Sequence, residues 1–356
     1  HVQATAVGVF MVRRQRSNEF LLCLDTFRTA LGSRLLANGL KGCGNLDRVF
    51  VVTPRLPDLV SQCGHIAVHL VDNASPGEDA RQIAQAHAER GWKDRVMLWL
   101  ETENHGFGCG NNVVLEALAA QDAPPQAVFL LNPDAQLENE AIDILAGVLE
   151  ADPQAAAAGA CVLRPDRTPV TAAFRFPGPV NEIARTLNLS FLHRLARTRL
   201  VPLPPEHPAG PVDWVSGASV MFRFRALQET GFFDPGFFLY YEEVDLMRRL
   251  QAVGWRVLYA PQAQVVHEEG AATGQFAGQA GRQRDPAYLY QSWAHYFSRA
   301  YGRAGALAIA LMMWPAALAN LLHRRLRGRP PTLPRHFFAD HWRYVIRPLM
   351  FGTPRP

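Results

Sequence analysis

The sequence predicts an α/β fold in which a mostly parallel central sheet is flanked by helices and followed by a C-terminal helical segment. Three observations lead there. Short β-branched runs alternate with stretches of helical periodicity through the first half, the pattern of βαβ units. The stretches richest in Asp, Asn and Gly fall at or just after the ends of those runs, where ligands bind in open α/β sheets. A chain of 356 residues with 48% apolar content can build two or three structural units around a large core.

Strands are expected at 5–12, 48–53, 66–71, 96–100, 127–131 and 157–163, with helices at 20–36, 77–90, 111–120 and 138–150 between them. Residues 39–64 read as an insertion ahead of the next core strand. From 165 to 211 the chain is rich in Pro and Arg and weakly periodic, which suits a long loop or lid carrying a short helix near 183–195. Structure is expected to resume with a strand at 214–222, a short helix at 225–231, an amphipathic helix at 242–253 and short strands at 257–259 and 264–267.

Beyond Asp285 a helix is expected at 288–300, and then an uncharged apolar run of 19 residues, 304–322, leads into His323-Arg324-Arg325-Leu326-Arg327. That length just reaches the roughly 20 residues that a bilayer core demands. Pro315 and Asn320 weaken a spanning reading. A helix lying on or dipping into a cytoplasmic leaflet fits better, anchored by arginines that attract anionic lipid at about 1 kcal/mol each. The bland alternative is a helix packed on the rest of the molecule with an Arg-rich outer face.

Charge divides the chain in the same place. The total is +4, too small to argue for a nucleic-acid partner. Residues 280–356 hold 12 Arg against Asp285 and Asp340, however, whereas residues 1–279 hold 24 bases against 30 acids. The five cysteines are scattered, with neither a CxxC pair nor zinc-ligand spacing, and read as reduced intracellular thiols. No secretory leader is read after His1, so a cytoplasmic setting is expected.

Four stretches carry chemistry. Val71-Asp72-Asn73-Ala74-Ser75 offers a carboxylate to a ribose or base, or else simply caps the next helix. Asn104-His105-Gly106-Phe107-Gly108-Cys109-Gly110-Asn111-Asn112 follows a strand and opens a helix, so backbone N–H groups can approach an anionic ligand. As a dinucleotide-binding loop it is weak, because no acid follows a second strand at the right distance. Leu130-Leu131-Asn132-Pro133-Asp134 delivers two oxygen side chains two residues apart, either for a hard divalent cation or as a plain Asn-Pro-Asp turn.

The longest is Trp214-Val215-Ser216-Gly217-Ala218, then Gly231-Phe232-Phe233-Asp234, then the aromatic run ending Tyr240-Tyr241-Glu242-Glu243-Val244-Asp245. On a helix Glu243 shares a stripe with Leu246, Met247 and Leu250 and is expected to face an apolar interior, while Glu242 and Asp245 share one with Arg249. A carboxylate on an apolar stripe is costly unless used, and burial raises its pKa toward values suited to a general base. Val265-Val266-His267 ends the series with a lone histidine.

Taken in order, these stretches resemble the family 2 glycosyltransferases, in particular rhamnosyltransferase-like members that build bacterial surface polysaccharides; the match covers roughly residues 65–270. The resemblance implies a GT-A fold, a nucleoside-diphosphate-sugar donor (dTDP- or UDP-linked), Mg²⁺ or Mn²⁺, inversion at the anomeric carbon, and a glycan or polyprenyl-linked glycan acceptor. It divides the chain into a nucleotide-sugar-binding half, 1–135, an acceptor and catalytic half, 136–280, and a basic membrane-associating region, 281–356.

Carried over by position, Asp72, Asn73 and Ser75 fall in the donor pocket with Asn104, Gly106, Phe107, Asn111 and Asn112 as its wall and Asn132 near the diphosphate. Asp134 and His267 stand at the metal. Glu243 takes the place of the base, with Glu242 and Asp245 beside it, and Trp214, Ser216, Gly217 and Tyr240 line the sugar and acceptor side. Two positions depart from the family pattern. The first strand ends Val12-Arg13-Arg14 rather than in a Thr-Tyr-Asn type of ending, and the usual Glu-Asp pair is Glu242-Glu243. The competing readings are a sugar nucleotidyltransferase, to which Arg13, Arg14 and Arg16 give a foothold, and a non-catalytic nucleotide-sugar binder.

Overall fold

A computed structural model describes residues 6–12 (backbone only), 66–75, 79–89, 91–92, 96–132, 135–189, 199–267 and 284–352. The helix expected at 20–36, the strand at 48–53, the insertion at 39–64 and residues Arg13, Arg14, Arg16, Pro133 and Asp134 lie outside these segments.

The first four strands form a parallel set. β1 (Ala6–Val12) pairs with β2 (Ala67–Asn73), β2 with β3 (Val96–Glu101), and β1 on its other side with β4 (Ala127–Leu131). Helices α1 (Asp79–Glu89) and α2 (Gly106–Ala119) follow β2 and β3. Parallel pairing sends β2, β3 and β4 out at one edge, so Asp72 and Asn104 leave from neighbouring strands and Asn132 from β4, on the far side of β1.

Beyond β4 come β5 (Ala135–Leu137), α3 (Ala141–Ala151) and β6 (Ala155–Leu163); then β7 (Pro169–Val170), β8 (Ala173–Phe174), α4 (Pro179–Leu187), β9 (Gly210–Pro211), β10 (Trp214–Val215) and β11 (Ser219–Arg223). Helices α5 (Phe224–Thr230) and α6 (Glu242–Ala252) precede β12 (Arg256–His267). The main sheet runs β3-β2-β1-β4-β11-β6-β12-β5. Along that path β11 and β5 run against the rest, so the sheet is mostly parallel with an antiparallel strand at its centre.

Two expectations about strands are corrected. Residues 214–222 are not one strand: β10 pairs with β8 in a separate two-stranded sheet, and β11 enters the main sheet. Between them Ser216 Oγ accepts the Ala218 N–H at 3.3 Å, a turn that breaks the alternation. The pieces expected at 257–259 and 264–267 are one strand, whose register shifts between Ala260 and Gln264, where Pro261 has no N–H to give the ladder. The helix expected at 183–195 is α4 instead, opened by Pro179 in its first turn and closed by Asn188 in the left-handed region.

The sheet is covered on both faces. On one, Leu115 and Leu118 of α2 pack with Leu227 of α5 and Leu246 and Leu250 of α6. On the other, Ile83 of α1 covers the β3 side, and Leu145 and Leu149 of α3 cover the β6 and β12 side, of one continuous cluster. A third cluster joins Phe237 and Val244, which flank the start of α6, to the C-terminal helices. These are α7 (Ala287–Leu326), α8 (Phe337–His341) and α9 (Arg347–Phe351), the last two linked through a wide turn at Trp342–Ile346. The expected helix 288–300 and the apolar run 304–322 both belong to α7, and non-helical Gly302 (φ 71, ψ 161) breaks it between them.

Candidate functional site

One side of the candidate site is built from the ends of β2 and β3. Asp72 and Asn73 are both buried. The Asn73 amide donates to Asn104 Oδ1 (3.2 Å) and to the Gly106 carbonyl (2.9 Å), while its oxygen accepts the His105 N–H at 3.1 Å. Asn104 Oδ1 also accepts the Gly106 N–H at 2.9 Å. Asn73 therefore shapes the loop with every polar atom of its side chain. Ser75, half-buried, lies just beyond it.

That loop is pinned from the far side. Phe107 donates its N–H to the Phe238 carbonyl at 3.1 Å. Gly106 has φ +78, and a Cβ there would lie 1.9 Å from the same oxygen, so only glycine fits. Asn111 donates to the Phe107 carbonyl at 2.9 Å. Asn112 exchanges hydrogen bonds with the backbone of Phe233, at 2.9 and 3.1 Å. Both are expected along the donor wall, and their amides brace α2 and its approach to the 231–236 turn. Phe238 and Phe233 were missed as partners because a backbone carbonyl or N–H leaves no mark in the sequence.

The acidic turn sits on α6. Tyr240 (φ 68) and Tyr241 (φ 71) are consecutive non-glycine residues in the left-handed region, a conformation that costs about 1–3 kcal/mol each unless the surroundings hold it. Here Tyr241 stacks on Tyr296 and Tyr240 on Tyr288, while Ser292 donates to the Leu239 carbonyl at 2.9 Å. The three acids of the first turn gain from the positive end of the helix dipole.

Burial of these acids reverses the expected stripe. Glu242 and Asp245 are each 2% exposed, whereas Glu243 is half-buried. Arg299 of α7 lies over Asp245 on the stripe it shares with Arg249, so both sides of the first turn are enclosed. Glu243 faces Gly217: a Cβ on Gly217 would lie 3.6 Å from Glu243 Oε1 and 3.3 Å from the Phe107 ring. The absent side chain lets the 216–218 turn close up against the carboxylate and the aromatic ring.

The third corner lies at the end of β4. Asn132 donates its N–H to the Ala218 carbonyl at 3.0 Å, tying this corner to the same turn. Its amide nitrogen is 3.3 Å from His267 Nε2, across 135 residues of sequence. Asp134 lies outside the described residues, and among those residues no group of three His, Cys, Asp or Glu is arranged to hold a metal. Trp214 forms the wall behind: its indole N–H donates to the Arg175 carbonyl at 2.9 Å, and its ring stacks on Phe174 with centroids 4.0 Å apart.

Three strand ends, a glycine-shaped loop and a carboxylate at a helix start thus converge on one face, and a family profile spans them all. The profile described as "Glycosyltransferase like family 2" matches residues 56–285. The chain belongs to this glycosyltransferase family. Over 229 residues this glycosyltransferase is 28% identical to the N-acetylglucosaminyl-diphospho-decaprenol L-rhamnosyltransferase of Mycobacterium tuberculosis, covering 62% of this chain and 70% of that protein. It is 25% identical to the rhamnosyltransferase WbbL of Escherichia coli K12 over 168 residues, 46% of this chain and 61% of that protein. Among solved structures, mannosyltransferase PcManGT from Pyrobaculum calidifontis, in complex with GDP-Man and Mn²⁺, matches with a TM-score of 0.50 at 17% identity, covering 92% of this chain and 76% of that one. The fold is GT-A and the protein is an enzyme that transfers sugar.

Proposed function

We propose that this glycosyltransferase is an inverting, metal-dependent enzyme that moves rhamnose or a similar hexose from a dTDP- or UDP-linked donor to a lipid-linked glycan, in bacterial surface polysaccharide synthesis. The observation that carries the reading is the meeting of Glu243, Gly217 and Phe107 beside a turn whose next carbonyl holds Asn132. A base on one side and a diphosphate corner on the other are what in-line displacement needs.

Glu243 removes the proton from an acceptor hydroxyl as that oxygen bonds to the anomeric carbon, and the bond from that carbon to the nucleoside diphosphate breaks on the opposite face. The sugar lies against the 216–218 turn, which Gly217 brings close to Glu243, with Ser216, Trp214 and Tyr240 around it. The loop 104–107 and Asp72 hold the nucleotide. The amide oxygen of Asn132 and the carboxylate two residues further in sequence are oxygen donors of the kind a hard divalent cation takes along with phosphate oxygens, and the imidazole of His267 lies 3.3 Å from the Asn132 amide nitrogen. Asp134 and His267 would hold Mg²⁺ or Mn²⁺ there, and the ion, when bound, supplies neutralisation of charge on the diphosphate.

The acceptor is read from two supports: the mycobacterial relative is named for a diphospho-decaprenol-linked sugar, and α7 has an apolar outer stripe. Leu311, Met312, Leu318, Leu322 and Leu326 are exposed at helical spacing, with Trp342, Met350 and Phe351 from the C-terminal turns. Arg325, Arg327, Arg329, Arg343 and Arg347 are exposed as well, whereas Asp340 is buried beneath Arg284. An apolar stripe fringed by bases suits the anionic cytoplasmic face of a plasma membrane, on which the helix lies rather than crosses.

The test is a donor screen with dTDP-rhamnose, UDP-sugars and GDP-mannose, with Mn²⁺ or EDTA and a lipid-diphosphate acceptor. Metal-dependent release of nucleoside diphosphate is expected. Release of pyrophosphate would favour nucleotidyl transfer, and binding without release a non-catalytic role.

A further inference from the structure

We infer that Arg299 of the C-terminal helix is a positioning residue for sugar transfer, because its guanidinium joins Asp234 to Asp245 and so fixes the turn that carries Glu243. This deepens the reading of Glu243 as the base and rests on it.

Arg299 Nε donates to Asp245 Oδ1 at 2.8 Å, and its NH1 lies 3.1 Å from Asp234 Oδ2. The other oxygen of Asp245 accepts from Arg249 Nε at 2.7 Å, and Arg249 also reaches the carbonyls of Thr230 and Phe232, each at 2.5 Å. Asp234 in turn takes the Gly236 N–H at 2.7 Å and lies 3.2 Å from His295 Nε2. The result is a closed network of two carboxylates and two guanidiniums that ties α7, the 231–236 turn and the first turn of α6 together.

Asp245 stands two residues after Glu243, its side chain is 3% exposed, and its N–H bonds to the Tyr241 carbonyl at 2.8 Å. Each of its oxygens is therefore used in holding the helix start, which places it as a brace beside the base. Loss of the brace frees the Asp245 carboxylate and loosens the first turn of α6, which follows the left-handed Tyr240-Tyr241 pair. Burial would lower the Arg299 pKa, but the hydrogen bond and charge of Asp245, with Asp234 behind, outweigh it and keep the guanidinium charged.

A misplacement of about 1 Å at a reacting group costs on the order of 10²-fold in rate. The experiment measures steady-state kinetics of the full chain and of Arg299→Gln, Arg299→Lys, Asp245→Asn and the double variant Arg299→Gln/Asp245→Asn. The donor is whichever of dTDP-rhamnose, UDP-GlcNAc and GDP-mannose the wild type turns over. For Arg299→Gln, kcat should fall by about 10²-fold with donor KM held within about threefold. Lysine, a point charge that cannot span two carboxylates, should recover only part of that loss. The double variant should be no slower than Asp245→Asn alone, because both substitutions cut one network.

Wild-type kcat in Arg299→Gln, or kcat and donor KM worsening together with the melting temperature, would overturn the inference. Should that variant fail to fold, Arg299→Lys decides: full kcat overturns it, and reduced kcat with intact KM supports it. Glu243→Gln run in parallel separates the two ideas. Normal turnover there removes the base assignment, whereas a kcat-only loss in the Arg299 variants still shows positioning.

Discussion

The two halves of α7, joined at Gly302, differ in composition, aromatic before the break and aliphatic after it, and in what they face. Before the break, Tyr290, Ser292, Trp293, Tyr296 and Phe297 are buried, and they hold Leu239, Tyr241 and the start of α6. After it, Ala306, Ile309, Ala310, Met313 and Ala317 pack inward, while leucines at helical spacing face out. Aromatic rings and a hydroxyl make specific contacts and suit a support for a catalytic turn. Small residues inward and aliphatic ones outward suit a helix lying between protein and a second apolar phase. A basic, apolar C-terminal region therefore holds two separate devices.

The largest effect expected from breaking this contrast is at Trp293, 5% exposed, stacked on Phe297 and donating to Glu182 Oε2 at 3.0 Å. Trp293→Ala should cost about 3–5 kcal/mol in urea unfolding and remove activity with it. Beyond Gly302 the outcome should differ in kind. Replacing Leu311, Leu318 and Leu322 together by Gln should leave stability within about 0.5 kcal/mol per site, yet lower partitioning onto phosphatidylglycerol-containing vesicles at least about tenfold. Equal partitioning in a flotation assay would remove the membrane reading while leaving the catalytic one.

The junction itself is a smaller lever. Gly302→Ala forces a Cβ onto φ +71 and should cost about 1–2 kcal/mol, read as a lower urea midpoint. The smallest effect concerns His341, packed where the two segments meet and accepting the Trp314 indole N–H at 3.1 Å. Burial foremost lowers its pKa to about 4, against a raising influence from Glu182. The folded chain thus resists a proton that the unfolded chain takes near pH 6.5, so stability is full above that pH and declines as pH falls toward 4. Between pH 7 and pH 6 the loss should stay below about 1 kcal/mol. A His341→Gln variant should show a flatter decline in melting temperature over that range.

Local pattern made much of the first four strands legible. The strand at 127–131 has the expected bounds, and the ends of β2, β3 and β4 deliver the expected Asp, Asn and Gly stretches to one edge. Periodicity failed where a neighbour distant in sequence sets burial. Asp245 is enclosed because Arg299 of α7 lies over it, and nothing near position 243 encodes that cover. Arg299 was counted as part of a basic tail, since its partners lie 54 and 65 residues earlier. The split of 214–222 followed from a serine hydroxyl closing a turn, and the merging of two short strands from Pro261 interrupting a ladder without ending it.

The central claim is that the carboxylate facing Gly217 is the base for sugar transfer. The most direct measurement compares Glu243→Gln with the wild type for turnover and, separately, for donor-induced thermal stabilisation in the presence of Mn²⁺. The account predicts turnover reduced at least about 10²-fold with donor stabilisation retained. Wild-type turnover in Glu243→Gln would contradict it.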